Sequence, residues 1–148
     1  MKPSWYTGPH AGTNNRSRKP GGKVRAKPRA IEHKIQVALM DYLAIAARPE
    51  IYYFAIPNQS NRHINNAGKM KAEGVRAGSP DLCFMLPQGR VGWLEMKAPD
   101  GSLSDAQKAF RDRALELGHH WAMARSIDEA LVPLTQWGAL KPAYRVAA

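Results

Sequence analysis

Asp81, Glu95 and Lys97 interrupt two short apolar runs near the middle of the chain. Leu82 to Leu86 (Leu-Cys-Phe-Met-Leu) is apolar throughout and reads as a strand buried on both faces. Val91 to Met96 is a second strand-compatible run, and Pro87-Gln88-Gly89 between them supplies the reversal. Glu95 and Lys97 are two apart, so a strand projects them from one face. Asp81 stands at the start of the partner strand, close enough to join them. Two carboxylates and an ammonium on a buried face are costly unless something uses the charges. Neighbouring carboxylates repel, and a divalent cation is the commonest thing that makes both ionised forms tolerable.

Parity decides whether the hairpin can bring these groups together. Directly opposed residues of an antiparallel pair share a face. For Asp81 to lie on the face of Glu95 and Lys97, it must pair with one of them, and either register needs an odd number of loop residues, for example Gln88-Gly89-Arg90. A two-residue Gln88-Gly89 turn would set Leu82 opposite Glu95 and leave Asp81 behind the sheet. Gln also fits poorly at the positive φ of such a turn. The expectation is an odd loop, or a β-bulge that restores the parity.

The elements that must position the hairpin follow from periodicity. From Ala30, the residues Ile31, Ile35, Ala38, Leu39, Tyr42 and Ile45 recur at helical spacing until Pro49. Glu32 falls in the first turn of that helix, where the dipole favours a carboxylate. Ile51 to Ile56 reads as the first strand, ending at Pro57-Asn58, with Asn58 an ordinary turn residue on its own terms. Residues 58–80 are polar, with one or two helical turns over Ala67 to Glu73 that stop at Gly74. Arg62, Lys69, Lys71 and Arg76 make this stretch a candidate phosphate-contacting lip beside the hairpin. Ser104-x-x-Gln107 opens a capped helix to about Leu117, with Gly118 as its stop. His119 to Ala124 reads as a fourth strand; its two adjacent histidines point to opposite faces and cannot share a metal. Ser126-x-x-Glu129 opens a short helix through Leu131, interrupted at Pro133. The last ten residues carry no readable signal.

The 148 residues suit one domain, and the net charge of +10 is uneven. Residues 1–29 hold eight Lys or Arg and no acid, a basic tail that composition marks as disordered, ahead of a domain over 30–148. Residues 30–148 hold fourteen basic against twelve acidic residues. A basic arm on a nearly balanced body points to nucleic acid, or else to a solubilising tail. No apolar stretch approaches the roughly 18 residues of a membrane span, and no apolar signal core is present, so an intracellular protein is expected. Cys83, the single cysteine, permits no internal disulfide and reads as a small buried hydrophobe.

A Pro-Asp before one strand and Glu-x-Lys on the next resembles the PD-(D/E)xK nuclease superfamily. The run Gly74-Val75-Arg76-Ala77-Gly78-Ser79-Pro80-Asp81-Leu82, with Glu95-Met96-Lys97 and Gly101-x-Leu103-Ser104-x-x-Gln107, resembles the virus-type replication-repair nuclease (VRR-NUC) family, over about Glu32 to Ser126. That resemblance implies an α/β, restriction-endonuclease-like αβββαβ core with a mixed central sheet flanked by helices. It also implies a metal-dependent nuclease acting on DNA in replication, repair or recombination. Asp81, Glu95 and the Met96 carbonyl would hold Mg²⁺ or Mn²⁺, with Glu32 completing the site and Lys97 serving the attacking water or the phosphate. Asn58 and Gln107 would support these groups from behind. Relatives of this size resemble homodimers, some of which cut branched DNA, so dimerisation is implied as well. The rival classes are a non-catalytic nucleic-acid-binding protein and a structural protein with a buried Glu95–Lys97 ion pair.

Overall fold

The computed structural model describes residues 27–57 and 67–147. The chain opens with α1 (Pro28–Ala46), whose first residue is a proline. Pro has no N–H to leave unsatisfied there, and its fixed φ suits the helix start. The helix therefore begins two residues ahead of the expected Ala30. Glu32 becomes its fifth residue, beyond the first turn, so the dipole gives no account of it. Leu39, Leu43 and Ala46 form the buried stripe.

Strand β1 (Tyr52–Ala55) is followed by a short α2 (Ala67–Ala72), then β2 (Leu82–Met85), β3 (Val91–Met96), α3 (Asp105–Glu116), β4 (His120–Ala124) and α4 (Ile127–Gln136). The four strands lie in the order β1-β2-β3-β4. The first three run antiparallel, and β4 returns parallel to β3 after the α3 crossover. This is the αβββαβ mixed sheet, with α2 and α4 added. One sheet face, carrying Leu82, Phe84, Leu94, Met96 and Ala124, packs with α1 and α4 into the hydrophobic core. The other face receives α3, where Phe110 meets Trp93 edge-on at 5.1 Å. No helix among the described residues is long and apolar enough to cross a membrane.

The hairpin takes an odd loop. Leu82 faces Leu94 and Cys83 faces Trp93, a register whose next step beyond the ladder would set Asp81 opposite Glu95. The Leu86 N–H donates to the Arg90 carbonyl at 3.0 Å and encloses Pro87-Gln88-Gly89. The loop thus sits one residue earlier than Gln88-Gly89-Arg90. Gln88 does adopt positive φ (67°), against the expectation for that residue. Its side-chain oxygen accepts from the Arg90 guanidinium at 2.7 Å, which offsets some of the local strain.

Two readings of the C-terminal third change. Pro133 does not end α4: the helix runs on to Gln136, and the Trp137 N–H donates to the Pro133 carbonyl at 2.8 Å. Burial of Ala130, Leu131 and Leu134 outweighs the one backbone bond that the proline forgoes. The last residues also carry structure. Ala139 and Leu140 are fully buried, Lys141 N–H caps the Ala46 carbonyl of α1, and Tyr144 meets Tyr42 edge-on.

Candidate active site

Asp81 sits where the β2–β3 ladder stops. The Ile56 N–H donates to its backbone carbonyl at 2.8 Å, extending the β1 pairing by one rung. On the other side its carboxylate Oδ2 accepts from the Met96 N–H at 2.8 Å, so a side chain completes what the backbone ladder leaves unmade. A strand residue presents its N–H and C=O on the same edge. The Met96 carbonyl consequently points toward Asp81 as well.

Glu95 is 3 % exposed, the one buried charged side chain of the described core. Its Oε1 receives the Lys97 ammonium at 2.9 Å and the Gln107 side-chain amide at 2.5 Å. Gln107 is held for this by its own helix. Its Oε1 accepts the Ser104 N–H while its N–H donates to Ser104 Oγ, a full capping box at the start of α3. With the amide oxygen committed to the cap, the amide nitrogen is aimed at Glu95. Glu95 Oε2 is buried and has no hydrogen-bond partner. Burial, then the nearby Asp81 charge, pushes the Glu95 carboxyl up to about 7; Lys97 pulls against this and Glu32 adds to it.

Glu32 reaches this region from α1. Its Oε1 accepts the Ala98 N–H at 3.1 Å, just past the end of β3. Among the described residues no three His, Cys, Asp or Glu side chains gather into a group able to hold a metal. The structure therefore joins Asp81, Glu95, Met96, Lys97 and Gln107, and brings Glu32 to the adjoining backbone. Gly78 has a part that the motif alone did not reveal. At φ +87° it lies against the first turn of α3, where an added Cβ would collide with the Ala106 carbonyl oxygen. The glycine four residues before Gly78 and the turn chemistry around Pro80 were the available signal.

A family model for the VRR-NUC domain matches residues 48–127. The chain belongs to the VRR-NUC family. A solved structure described as a VRR_NUC domain protein is 22 % identical with a TM-score of 0.61, covering 72 % of this chain and 87 % of that one. A second, described as a VRR_NUC domain, is 16 % identical with a TM-score of 0.45, covering 66 % and 87 %. No curated protein matches the chain.

The matched VRR-NUC stretch holds Asp81, Glu95, Met96, Lys97 and Gln107, while α1 with Glu32 precedes it. The donor set fits a hard divalent cation: two carboxylates and a carbonyl, all oxygen. The partnerless buried Oε2 of Glu95 is the sharpest sign, since a buried carboxylate oxygen is normally satisfied. Of the basic lip, Lys69 and Lys71 lie exposed on α2, with Lys69 paired to Glu73 at 3.9 Å, and Arg76 is exposed in the loop that follows. Asn58 and Arg62 lie outside the described residues.

Proposed function

We propose that this VRR-NUC protein is a Mg²⁺- or Mn²⁺-dependent deoxyribonuclease of intracellular nucleic-acid metabolism. The buried Glu95, near enough to Asp81 to feel its charge, with an unsatisfied Oε2 and with Lys97 on Oε1, is the observation that carries this reading. Asp81, Glu95 and the Met96 carbonyl would hold the cation, with Glu32 close by. A bound divalent cation polarises a phosphoryl oxygen and acidifies water. The chain's own groups do the rest. Gln107 and Lys97 fix one oxygen of Glu95, leaving the other oriented and dry. The Lys97 side chain is 13 % exposed and screened little by solvent, so its ammonium can neutralise charge growing on the phosphate or orient the incoming water. A purely structural ion pair would satisfy both carboxylate oxygens, and a binding protein would have no use for the buried carboxylate. Branched DNA cut by a homodimer, as the sequence resemblance implies, is the more specific form of the proposal.

Lys97→Met tests the division of labour. It should lower cleavage by about a hundredfold or more and leave affinity for DNA within a factor of about two, because basic groups elsewhere supply most of the binding. Parallel loss of both would make Lys97 a binding residue.

The basic arm makes a separate prediction. Removing residues 1–26, just ahead of the Pro28 helix start, deletes Lys2, Arg16, Arg18, Lys19, Lys23 and Arg25. Binding to duplex DNA should weaken, and the slope of log affinity against log salt should flatten by about 0.9 for every phosphate that the arm neutralises. The melting temperature should hardly move. An unchanged slope would show that the body binds by itself.

A further inference from the structure

Among the described residues, helix cover on the sheet face that carries Glu95 extends over only half of it. α3 lies over its β3–β4 half, where Phe110 meets Trp93 and the Arg111 guanidinium stands 6.0 Å above Trp121. On the other half, Tyr52 pairs with Met85 and Phe54 with Cys83, which in turn face Val91 and Trp93. Tyr52 and Phe54 therefore share the face of Asp81 and Glu95. Tyr52 is 66 % exposed, Met85 54 % and Phe54 41 %, and the two aromatic rings are 6.0 Å apart. The opposite side of the same strand is ordinary core: Tyr53 stacks on the buried Phe84 at 5.8 Å. Folding thus accounts for Tyr53, while Tyr52 and Phe54 leave much of their rings uncovered.

We propose that Tyr52 and Phe54 form a stacking platform for unpaired nucleobases, so that the substrate carries single-stranded nucleotides beside the bond to be cut. The proposal rests on the nuclease reading and adds the substrate class. Ile56 is the rung opposite Asp81, which puts Phe54 about 7 Å and Tyr52 about 14 Å along the strand from it. A stacked nucleic-acid strand advances about 3.4 Å per nucleotide. The two rings, 6.0 Å apart and tilted by 50°, stand farther apart than stacked neighbours, so a base on each requires a strand whose bases have come apart, not a base-paired helix. Aromatic faces take any base, which suits a platform without sequence preference. At its active-site end the strip meets the Lys97 ammonium, on the same face as Glu95, which suits a polyanion. A stacked duplex could use that charge and not the rings.

The test is fluorescence anisotropy with the full chain in EDTA, where binding is read without cleavage. The ligands are a labelled single strand, a blunt duplex of the same length, and a duplex with a single-stranded arm. Tyr52→Ala with Phe54→Ala should weaken binding to the single strand and the armed duplex by about tenfold or more, and to the blunt duplex by less than about twofold. Tyr52→Phe should retain affinity, while Tyr52→Leu, apolar without a π face, should lose it; these single changes at an exposed site keep the test open if the double variant folds badly. Equal losses on all three ligands, or none, would overturn the platform. So would sedimentation that shows a wild-type dimer becoming a monomer in the Leu variant with single-strand affinity intact, since the strip would then be a seat for a second copy. Cleavage assayed separately keeps the two readings apart. Ring-dependent binding without cleavage would sink the nuclease and spare the platform; cleavage with ring-independent binding would do the reverse.

Discussion

In cation-free buffer, the stability of Glu95→Gln relative to the wild type should climb by about 3 kcal/mol as pH rises from about 4 to about 8. Burial and the Asp81 charge raise the folded-state Glu95 carboxyl to about 7 from an ordinary 4.5. The folded chain therefore holds that proton more tightly than the unfolded one. The resulting stability is fully present below about pH 4.5 and is lost as pH rises through about 7. Gln carries no such charge, so its stability lacks this slope. At this chain length the gap should open by on the order of 10 °C in melting temperature. Adding Mg²⁺ or Mn²⁺ at the upper pH should restore the wild type and do little for the variant, since a ligand stabilises only the state that binds it. A difference that stays flat with pH would mean that Glu95 is paired well enough to ionise normally.

Gly78→Ala should be the most damaging small substitution in the loop before Asp81. Its Cβ would collide with the Ala106 carbonyl oxygen and fall 2.8 Å from the Gln107 nitrogen, both backbone atoms that cannot swing aside. Overpacking of this kind costs about 1–3 kcal/mol, and the left-handed φ adds about 1–2 kcal/mol. Gly74 is the natural control, because it has φ +90° and nothing within 4 Å of an added Cβ. Gly74→Ala should cost only the backbone part. Relief of the clash must also move the first turn of α3, and with it the Gln107 amide that holds Glu95. Gly78→Ala should accordingly lose cleavage well beyond what Gly74→Ala loses. Similar melting temperatures and activities for the two variants would detach this loop from the site.

Much of the site was legible because strand geometry is periodic. Parity tied a place for Asp81 on the face of Glu95 and Lys97 to an odd loop or a bulge, and the loop is odd, with Leu82 opposite Leu94 at the last rung before Asp81. The capping box at Ser104 and Gln107 was readable from spacing. What spacing could not show is that Gln107, with its oxygen spent on the cap, extends its nitrogen to a strand twelve residues away. Glu32 was misplaced for a local reason: Pro28 and Arg29 already belong to the helix, so its carboxylate caps no helix start and instead receives the Ala98 N–H. Pro133 and the final segment were misread because propensity and composition are local, whereas the burial of Leu134 and Leu140 is decided by α1 and the sheet. The Gly78 approach to α3 is of the same kind, since a glycine announces a special φ but not which backbone comes near.

Asp81 and Glu95 are proposed to support metal-dependent hydrolysis of DNA jointly. The most direct measurement incubates the full-length protein with supercoiled plasmid and with a four-way junction, in Mg²⁺, in Mn²⁺ and in EDTA. Asp81→Asn and Glu95→Gln are run beside it, each shown by melting to be folded. Cleavage by the wild type in either metal, none in EDTA, and none by either variant in any buffer is the expected result. Cleavage in EDTA, or by folded Glu95→Gln at the wild-type rate, would contradict it.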